Sequence, residues 1–460
     1  MHYKLEIVDT QQMRTLLEMN IQPDVFTQTL QHKQLIFNYE LILKTREFVF
    51  QNRKITYIYL ISFLSKLTKL DLQFNTITDI STISYLKNLK SLNLSRNRIV
   101  DISALQSLSF LTKLNVACNL ITSYKIELPN LVDLNISFNI LKDKSGLLQS
   151  PKLRFLNIVG TNTTNLKDIP KELKNLNIIS VDFNQIQEIS YIINFLDLQL
   201  LELRKNDMIK DIEPLKECVK LKVLDLSQTS IVDIQPLQFL KQLCVLRLNK
   251  ISITNIQPLK FLKQLKSLYL NDTPISDIWP LQFMKNLQRL ELQNTNVIDL
   301  HPLQYLYQLE HVLITHSFVV DVAPLSSLIQ LDTLILNNNK ILNFDSLRHH
   351  DNYPQPINIQ NEEDDLNEPI NEDEEQKYFF DNQIIPTTKE LKFYNNVLQI
   401  HCSHKQIRKI RIANKCQKFR DLQTLNQDFI LLMFNNQIIQ MNKEINLLLE
   451  LIRNSYSYFD

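Results

Sequence analysis

The side chains best suited to chemistry in this 460-residue chain are few and poorly assembled. His311 and His316 fall in one stretch, with Glu291 and Asp272 nearby, which are the ingredients of an acid–base pair. They read better as solvated polar positions at loop edges. Cys118 has no histidine in the adjacent segments, so no thiol nucleophile is assembled. His401, Cys402, His404 and Cys416 have metal-binding side chains, but adjacent His-Cys with one distant Cys fits no standard zinc spacing. Glycine occurs only twice, at Gly146 and Gly160. It is the residue that supplies left-handed turns and the close backbone approach of phosphate loops. A nucleotide-binding enzyme with a glycine-rich loop and a Gly-x-Ser-x-Gly hydrolase are therefore both excluded. The expectation is a protein that is not an enzyme and uses neither cofactor nor metal.

Fifty Lys and Arg against 49 Asp and Glu leave a formal charge of +1, with 44% hydrophobic and 22% charged residues. Such a chain is neither disordered throughout nor embedded in a membrane. The segment Met1-His-Tyr-Lys-Leu-Glu-Ile-Val-Asp9 has no apolar core of a secretory signal. No run of apolar residues is long enough to span a bilayer. Five cysteines at unrelated spacings read as free thiols in a reducing compartment. These observations point to the cytoplasm.

What must position any site is an internal repeat. Leucines 67, 89, 111, 131, 153, 176, 198, 221, 243, 265, 287, 309 and 331 each open the phrase Leu-x-x-Leu-x-Leu-x-x-Asn, with nine of twelve spacings equal to 22. Typical lines are LTKLDLQFNTITDISTISYLKN from Leu67 and LKVLDLSQTSIVDIQPLQFLKQ from Leu221. A worn earlier copy retains Phe48, Phe50, Ile55, Ile58, Ile61 and Leu64, with Arg53 at the Asn position.

Within one repeat, Leu-x-Leu alternates with period two and predicts a short strand. The spacing of three at Ile231, Ile234, Leu237 and Leu240 then predicts a tight 3₁₀-like return segment on the opposite side. Asp233, Asp277, Asp299 and Asp321 precede that segment, where a carboxylate can satisfy free N–H groups. Prolines 236, 258, 280, 302 and 324 sit early in it, where no N–H is needed. One such unit cannot bury its apolar face alone, so strand must stack on strand in one parallel sheet, thirteen strands spanning roughly 58 Å. Asn75, Asn97, Asn119, Asn139, Asn184, Asn206 and Asn339 are expected to turn their amides inward onto neighbouring backbones. Thr229, Thr273, Thr295 and Ser317 retain a polar hydrogen in that column, while Thr161 and Ile251 mark the two weakest rungs.

These phrases resemble the leucine-rich repeat family, in its short 22-residue class found in the regulatory subunit of type-one protein phosphatase and in bacterial internalins. The wording Asp233-Ile-Gln-Pro-Leu237 and Asp277-Ile-Trp-Pro-Leu281 is especially similar to that of internalins. The resemblance implies an α/β class fold: a right-handed solenoid with a concave parallel sheet, 3₁₀ or short helices on its convex side, and a macromolecule gripped by the inner face. It covers about residues 45–348.

The positions between the repeated leucines point out of that sheet. Phe155, Ile178, Leu200, Val223 and Val245 form five consecutive apolar rungs, a pattern that marks a contact surface. Glu202, Arg204, Asp225, Arg247 and Tyr269 lie beside them, a hot-spot composition. Asn93, Asn115, Asn135 and Asn157 read as a hydrated hydrogen-bonding ladder. Phe74, Phe138 and Phe183 either extend a partner groove or cover the turn beneath.

At the ends, residues 1–44 read as a partly helical cap with apolar spacing at Met13, Leu16, Leu17 and Ile21. Residues 349–385 read as a disordered linker, nine acids and no base lying in 362–375. Residues 386–460 read as a helical tail opened by the capping box Thr387-Thr-Lys-Glu390. Its basic stretch from Lys389 to Arg420 either contacts an anionic surface or, the favoured reading, pairs with the linker or is simply solvated. The functional expectation is a protein-binding scaffold acting through its concave face, with no nucleic acid as partner and no membrane span. The alternative is a regulatory or targeting subunit of a protein phosphatase.

Overall fold

The structure is a computed structural model that describes residues 45–342, Asp345–Leu347 and four strand pieces, Ile7–Val8, Ile36–Phe37, Leu391–Tyr394 and Val397–Ile400. The chain divides into two compact units, Met1–Asn361 and Glu362–Asp460. In the first unit, fourteen three-residue strands form one sheet whose spatial order follows the sequence, from Glu47–Val49 to Thr333–Ile335. The worn copy is the first strand, with Phe48 opposite Leu70.

Every strand is parallel to its neighbours, and the central apolar residues align rung to rung, as Leu201 does with Ile179 and Leu224. Register survives the irregular spacings because the extra or missing residues are absorbed in the return segments. The 20-residue repeat lacks a 3₁₀ segment altogether. It crosses instead in extended form, burying Tyr124 completely. Gly146 receives this crossing: its N–H donates to the Tyr124 carbonyl at 2.8 Å, and a Cβ there would lie 2.6 Å from that oxygen.

The return segments are 3₁₀ turns closed by i to i+3 bonds, as in Leu237 N–H to Ile234 C=O and Leu240 N–H to Leu237 C=O, both 3.0 Å. In most repeats an Asp two residues before the first N–H caps it, and Asn165 and Asn255 take that place in two others. Asp233, Asp277, Asp299 and Asp321 accept from the N–H two residues on at 2.8–2.9 Å. The core between sheet and turns is a continuous stack of Leu, Ile and Val at or near zero exposure.

The asparagine column ties each turn to the one before. Asn119 accepts from the Ile99 N–H at 3.0 Å, and its Nδ2 donates to the carbonyls of Leu94 and Val116, both at 3.0 Å. Where Asn is replaced, the hydroxyls of Thr229, Thr273 and Thr295 donate to the carbonyl three residues back. Thr161 does the same to Ile158 at 2.7 Å, a bond within its own repeat; Ile251 is buried and apolar.

The residue before this column adopts a left-handed conformation in repeat after repeat. Phe74, Arg96, Cys118, Phe138, Phe183, Lys205 and seven further turn residues down to Asn338 have φ of 51–58°. Only Gly160 meets this demand with glycine. The scarcity of glycine therefore does not mean scarcity of such turns. Most repeats tolerate a strain of roughly 1 kcal/mol per left-handed residue, because the bonds on either side over-determine the backbone.

The tail departs from the helical expectation in its described part. Leu391–Tyr394 and Val397–Ile400 pair antiparallel as a hairpin. Their Phe, Tyr, Val and Ile content favours pleated backbone over helix. At the other end Ile7–Val8 and Ile36–Phe37 pair in parallel. The expected helical spacing around Met13–Ile21, the acidic linker, the capping box and the rest of the tail lie outside the described residues.

Two substitutions test this account. Asn119→Ala strands the Ile99 N–H in the core, at about 1–3 kcal/mol, and takes one of two amide donors from each of the Leu94 and Val116 carbonyls, which keep Asn97 and Asn139. Urea unfolding followed by circular dichroism should show a clearly lower midpoint, and an unchanged midpoint would remove the asparagine tie from the explanation. Leu246 is fully buried, and Leu246→Asp places an unpaired carboxyl in the core. That variant should lose cooperative unfolding, whereas a soluble, cooperative protein would contradict the register.

Candidate functional site

The open sheet face is a grid. Strand residues flanking each buried Leu form two outward columns, and the residue two further on forms a third. In the first column Phe155, Ile178, Leu200, Val223 and Val245 stand on successive strands, each directly opposite the next. All five are half-buried and none belongs to the core, so they face outward as expected while shielding one another. The strip ends on polar residues at both sides, Asp133 before it and Ser267 after it.

The second column runs Asn157, Ser180, Glu202, Asp225, Arg247 and Tyr269. Here the expectation of exposed contact residues needs correction. Glu202 and Asp225 point out of the sheet, yet only 4% and 3% of their surfaces remain exposed. Side chains on adjacent rungs stand about 4.8 Å apart, close enough to screen one another from solvent. The Ser180 hydroxyl donates to Glu202 Oε2 at 2.5 Å, while Glu202 Oε1 is buried without a hydrogen bond. Asp225 accepts the Ser227 N–H at 2.9 Å. In the third column Asp182 accepts the Arg204 backbone N–H at 2.6 Å. The Arg204 guanidinium lies over the Phe183 ring at 5.6 Å, and that of Arg247 over Tyr269 at 5.1 Å.

Burial and mutual repulsion govern how this acid group titrates. Desolvation pushes Glu202 up to about 7; the Ser180 bond and Arg247 oppose this, and Asp225 adds to it. Asp182 is raised well above the usual carboxylate range by burial first, then by the charges of Glu202 and Asp225, against the Arg204 contacts. A neutral carboxyl at Glu202 relieves the cost of an unbonded buried oxygen, which a full charge would multiply.

The remaining candidates separate. Asn93, Asn115, Asn135 and Asn157 form a ladder whose side-chain oxygens accept the N–H two residues on at 3.0–3.1 Å. Phe74 and Phe183 sit on left-handed turns beneath cations, Arg96 lying 4.9 Å over Phe74 and Lys205 4.6 Å over Phe183. His311 stands in the first column opposite Arg289, whereas Glu291 is in the second. His316 contacts Asn338 and Asp272 accepts from Asn294, so these two do not pair with each other. Among the described residues no cluster of three or more His, Cys, Asp or Glu is placed to hold a metal ion, and no helix is long and apolar enough to cross a membrane. The His401–Cys416 set lies outside the described residues.

Sequence reasoning overlooked a row on the convex side. Phe239, Phe261, Phe283 and Tyr305 recur every 22 residues and are 42–49% exposed. The signal was present in the recurring Leu-Gln-Phe, but its apolar character is indistinguishable in sequence from a core position.

The family model for leucine-rich repeats in two copies matches residues 65–109 and 87–127. Among solved structures, an internalin from Listeria monocytogenes, InlF, is 27% identical, with a TM-score of 0.55, over 69% of this chain and 87% of its own. The repeats of this chain match those of leucine-rich repeat proteins, and its fold is that of a leucine-rich repeat solenoid. A leucine-rich repeat protein from Leptospira interrogans aligns at 23% identity and TM-score 0.58 over 66% of this chain and 81% of its own. The functional domain of Listeria InlJ aligns at 21% and 0.54 over 68% and 73%. No curated protein matches the chain. The resemblance to bacterial internalins thus holds in both repeat wording and fold.

Glu202 gives this leucine-rich repeat array a pH signature. Its folded value of about 7 lies above the ordinary 4.5, so the folded state holds the proton more tightly. The stabilisation is complete below about pH 4.5 and is lost as pH rises through about 7. Glu202→Gln should therefore flatten the fall in melting temperature between pH 5 and pH 8, relative to the unmodified chain. An identical fall in both proteins would show that Glu202 is ionised throughout.

Proposed function

We propose that this protein is a binding scaffold that holds another protein on the concave face of its repeats. The observation that carries the reading is the uninterrupted apolar strip Phe155, Ile178, Leu200, Val223 and Val245, outward-facing and half-buried on five adjacent strands. The leucines beneath already supply the core, so the strip is not needed to close it. An apolar stretch of this extent on an open sheet gains by being covered. Arg204, Arg247 and Tyr269 flank the strip and are half-buried, which gives a contact of aromatic and guanidinium character beside the aliphatic rungs. Glu202 and Asp225 act beneath it as positioning residues rather than as direct contacts. Because the strands are locked on both sides, binding orders little of the scaffold, and most of the covered area counts toward affinity. The family likeness supports this reading, since the repeat serves as a recognition surface rather than as a catalytic frame. The regulatory-subunit alternative shares the same face and differs only in the partner.

Leu200→Asp with Val223→Asp tests it. Proteins retained by the immobilised full chain and identified by mass spectrometry should include a partner that the double variant no longer retains, while its circular dichroism spectrum stays unchanged. Recovery of a phosphatase catalytic subunit in the lost fraction would select the regulatory alternative. Equal retention by both proteins would remove the strip from the binding site.

A further inference from the structure

The convex side carries a second ordered surface. Three consecutive 3₁₀ segments, Gln235–Phe239, Gln257–Phe261 and Trp279–Phe283, each end on an exposed phenylalanine, and Tyr305 takes that place in the next repeat. Trp279, the only tryptophan in the chain, is 50% exposed at the start of one of them. The fold does not demand aromatics there. In other five-residue segments the last residue varies among Phe63, Tyr85, Ser107, Gln149, Asn194, Glu217 and Ser327, and in these successive repeats aromatics follow one another with lysines over three of them.

Lysines accompany the rings. The ammonium of Lys260 lies 5.2 Å from the centre of the Phe261 ring, that of Lys263 5.2 Å from Phe283, and that of Lys285 5.1 Å from Tyr305. Lys263 and Lys285 each reach forward to the ring of the following repeat, so cation and ring alternate along the array. Residues 234–271 hold six basic side chains and no acid, and in the next two return segments Asp277 and Asp299 are engaged in accepting the Trp279 and His301 N–H groups. An ammonium seated over a ring is held in place while it keeps N–H groups to meet an anion; Lys285 uses one on the Tyr305 carbonyl at 3.4 Å.

We propose that the row of Phe239, Phe261, Phe283 and Tyr305 with Lys260, Lys263 and Lys285 is a docking site for an acidic peptide segment of a partner protein, one whose carboxylates alternate with apolar side chains. Carboxylates meet the lysines, and the apolar residues cover the rings. A single-stranded nucleic acid fits less well, because base stacking needs open ring faces and here each of three rings has a lysine across one face. This surface lies on the opposite side of the repeats from the concave strip, and the inference does not depend on that reading.

Three fluorescent probes decide the matter with the full chain: a synthetic peptide alternating Glu with Leu and Phe, the same peptide with Gln for Glu, and oligo-deoxythymidine. The acidic peptide should bind at least about tenfold more tightly than its Gln counterpart, and its affinity should fall with added salt. Lys263→Glu with Lys285→Glu should weaken it about tenfold or more, as should Phe261→Ser with Phe283→Ser. Leu200→Asp with Val223→Asp should leave it unchanged. Equal binding of the Gln peptide, indifference to salt, or tighter binding of the oligonucleotide would each overturn the proposal; the salt and probe comparisons need no variant to fold. Loss of the acidic peptide in the Leu200 and Val223 variant would place its site on the concave face instead and overturn the proposal as well.

Discussion

Each repeat of this protein depends on hydrogen bonds it cannot make alone. The asparagine column shows the constraint most directly. Asn97 accepts from Ile77 N–H and donates to the Leu72 carbonyl, both in the preceding repeat, and also donates to Leu94 in its own. One side chain thereby fixes the distance between successive turns. The parallel strands fix it again on the sheet side, so a repeat is held at both ends. Stability in such an array is a sum of weak units and strong interfaces. A local defect should therefore cost more than the repeat that carries it, because both neighbouring interfaces lose a partner.

That double tie explains the left-handed residues. Bulky Phe74, Phe138 and Phe183 occupy backbone conformations that glycine would adopt freely. The strain is affordable only because the preceding strand and the following Asn leave the chain no other path. The rings then gain a use: Phe74 and Phe183 lie beneath arginines or lysine. Gly160 is the complementary case, since a Cβ there would lie 2.9 Å from the Phe138 ring. A conformational demand repeated along the chain is met by whichever side chain the neighbouring repeat has room for.

The fold was legible because its signal is periodic. Leucines at a near-constant step specify strand, turn and stacking direction together, and Asp before most return segments announces the cap. The outward direction of Leu200 and Val223 follows from the same alternation. Burial of Glu202 and Asp225 does not, because it arises from residues on adjacent strands, 22 or 23 positions away, whose lengths combine only once the register is set. The left-handed turns were hidden for a different reason: composition suggested few of them, and tertiary bonds overrode that preference. In the tail, local capping logic around Thr387–Glu390 pointed to helix, whereas the described residues just beyond it pair as a hairpin.

A net charge of +1 conceals how unevenly this chain distributes charge. On the concave face Glu202 and Asp225 are buried, and Glu202 and Asp182 hold their protons to higher pH than ordinary carboxylates, so the apolar strip is bordered by less negative charge than its composition suggests. A strip whose acids are screened in this way is governed by shape and apolar contact, and its affinity should respond weakly to salt. The convex row has the opposite character, with lysines fixed over its rings and no acid from residue 234 to residue 271. Encounter with that row is steered by long-range attraction and falls with ionic strength. Two faces built from the same 22-residue step thus differ in the force that selects their partners, because the positions that vary between repeats are free to differ wherever the core, the asparagine tie and the Asp cap are satisfied.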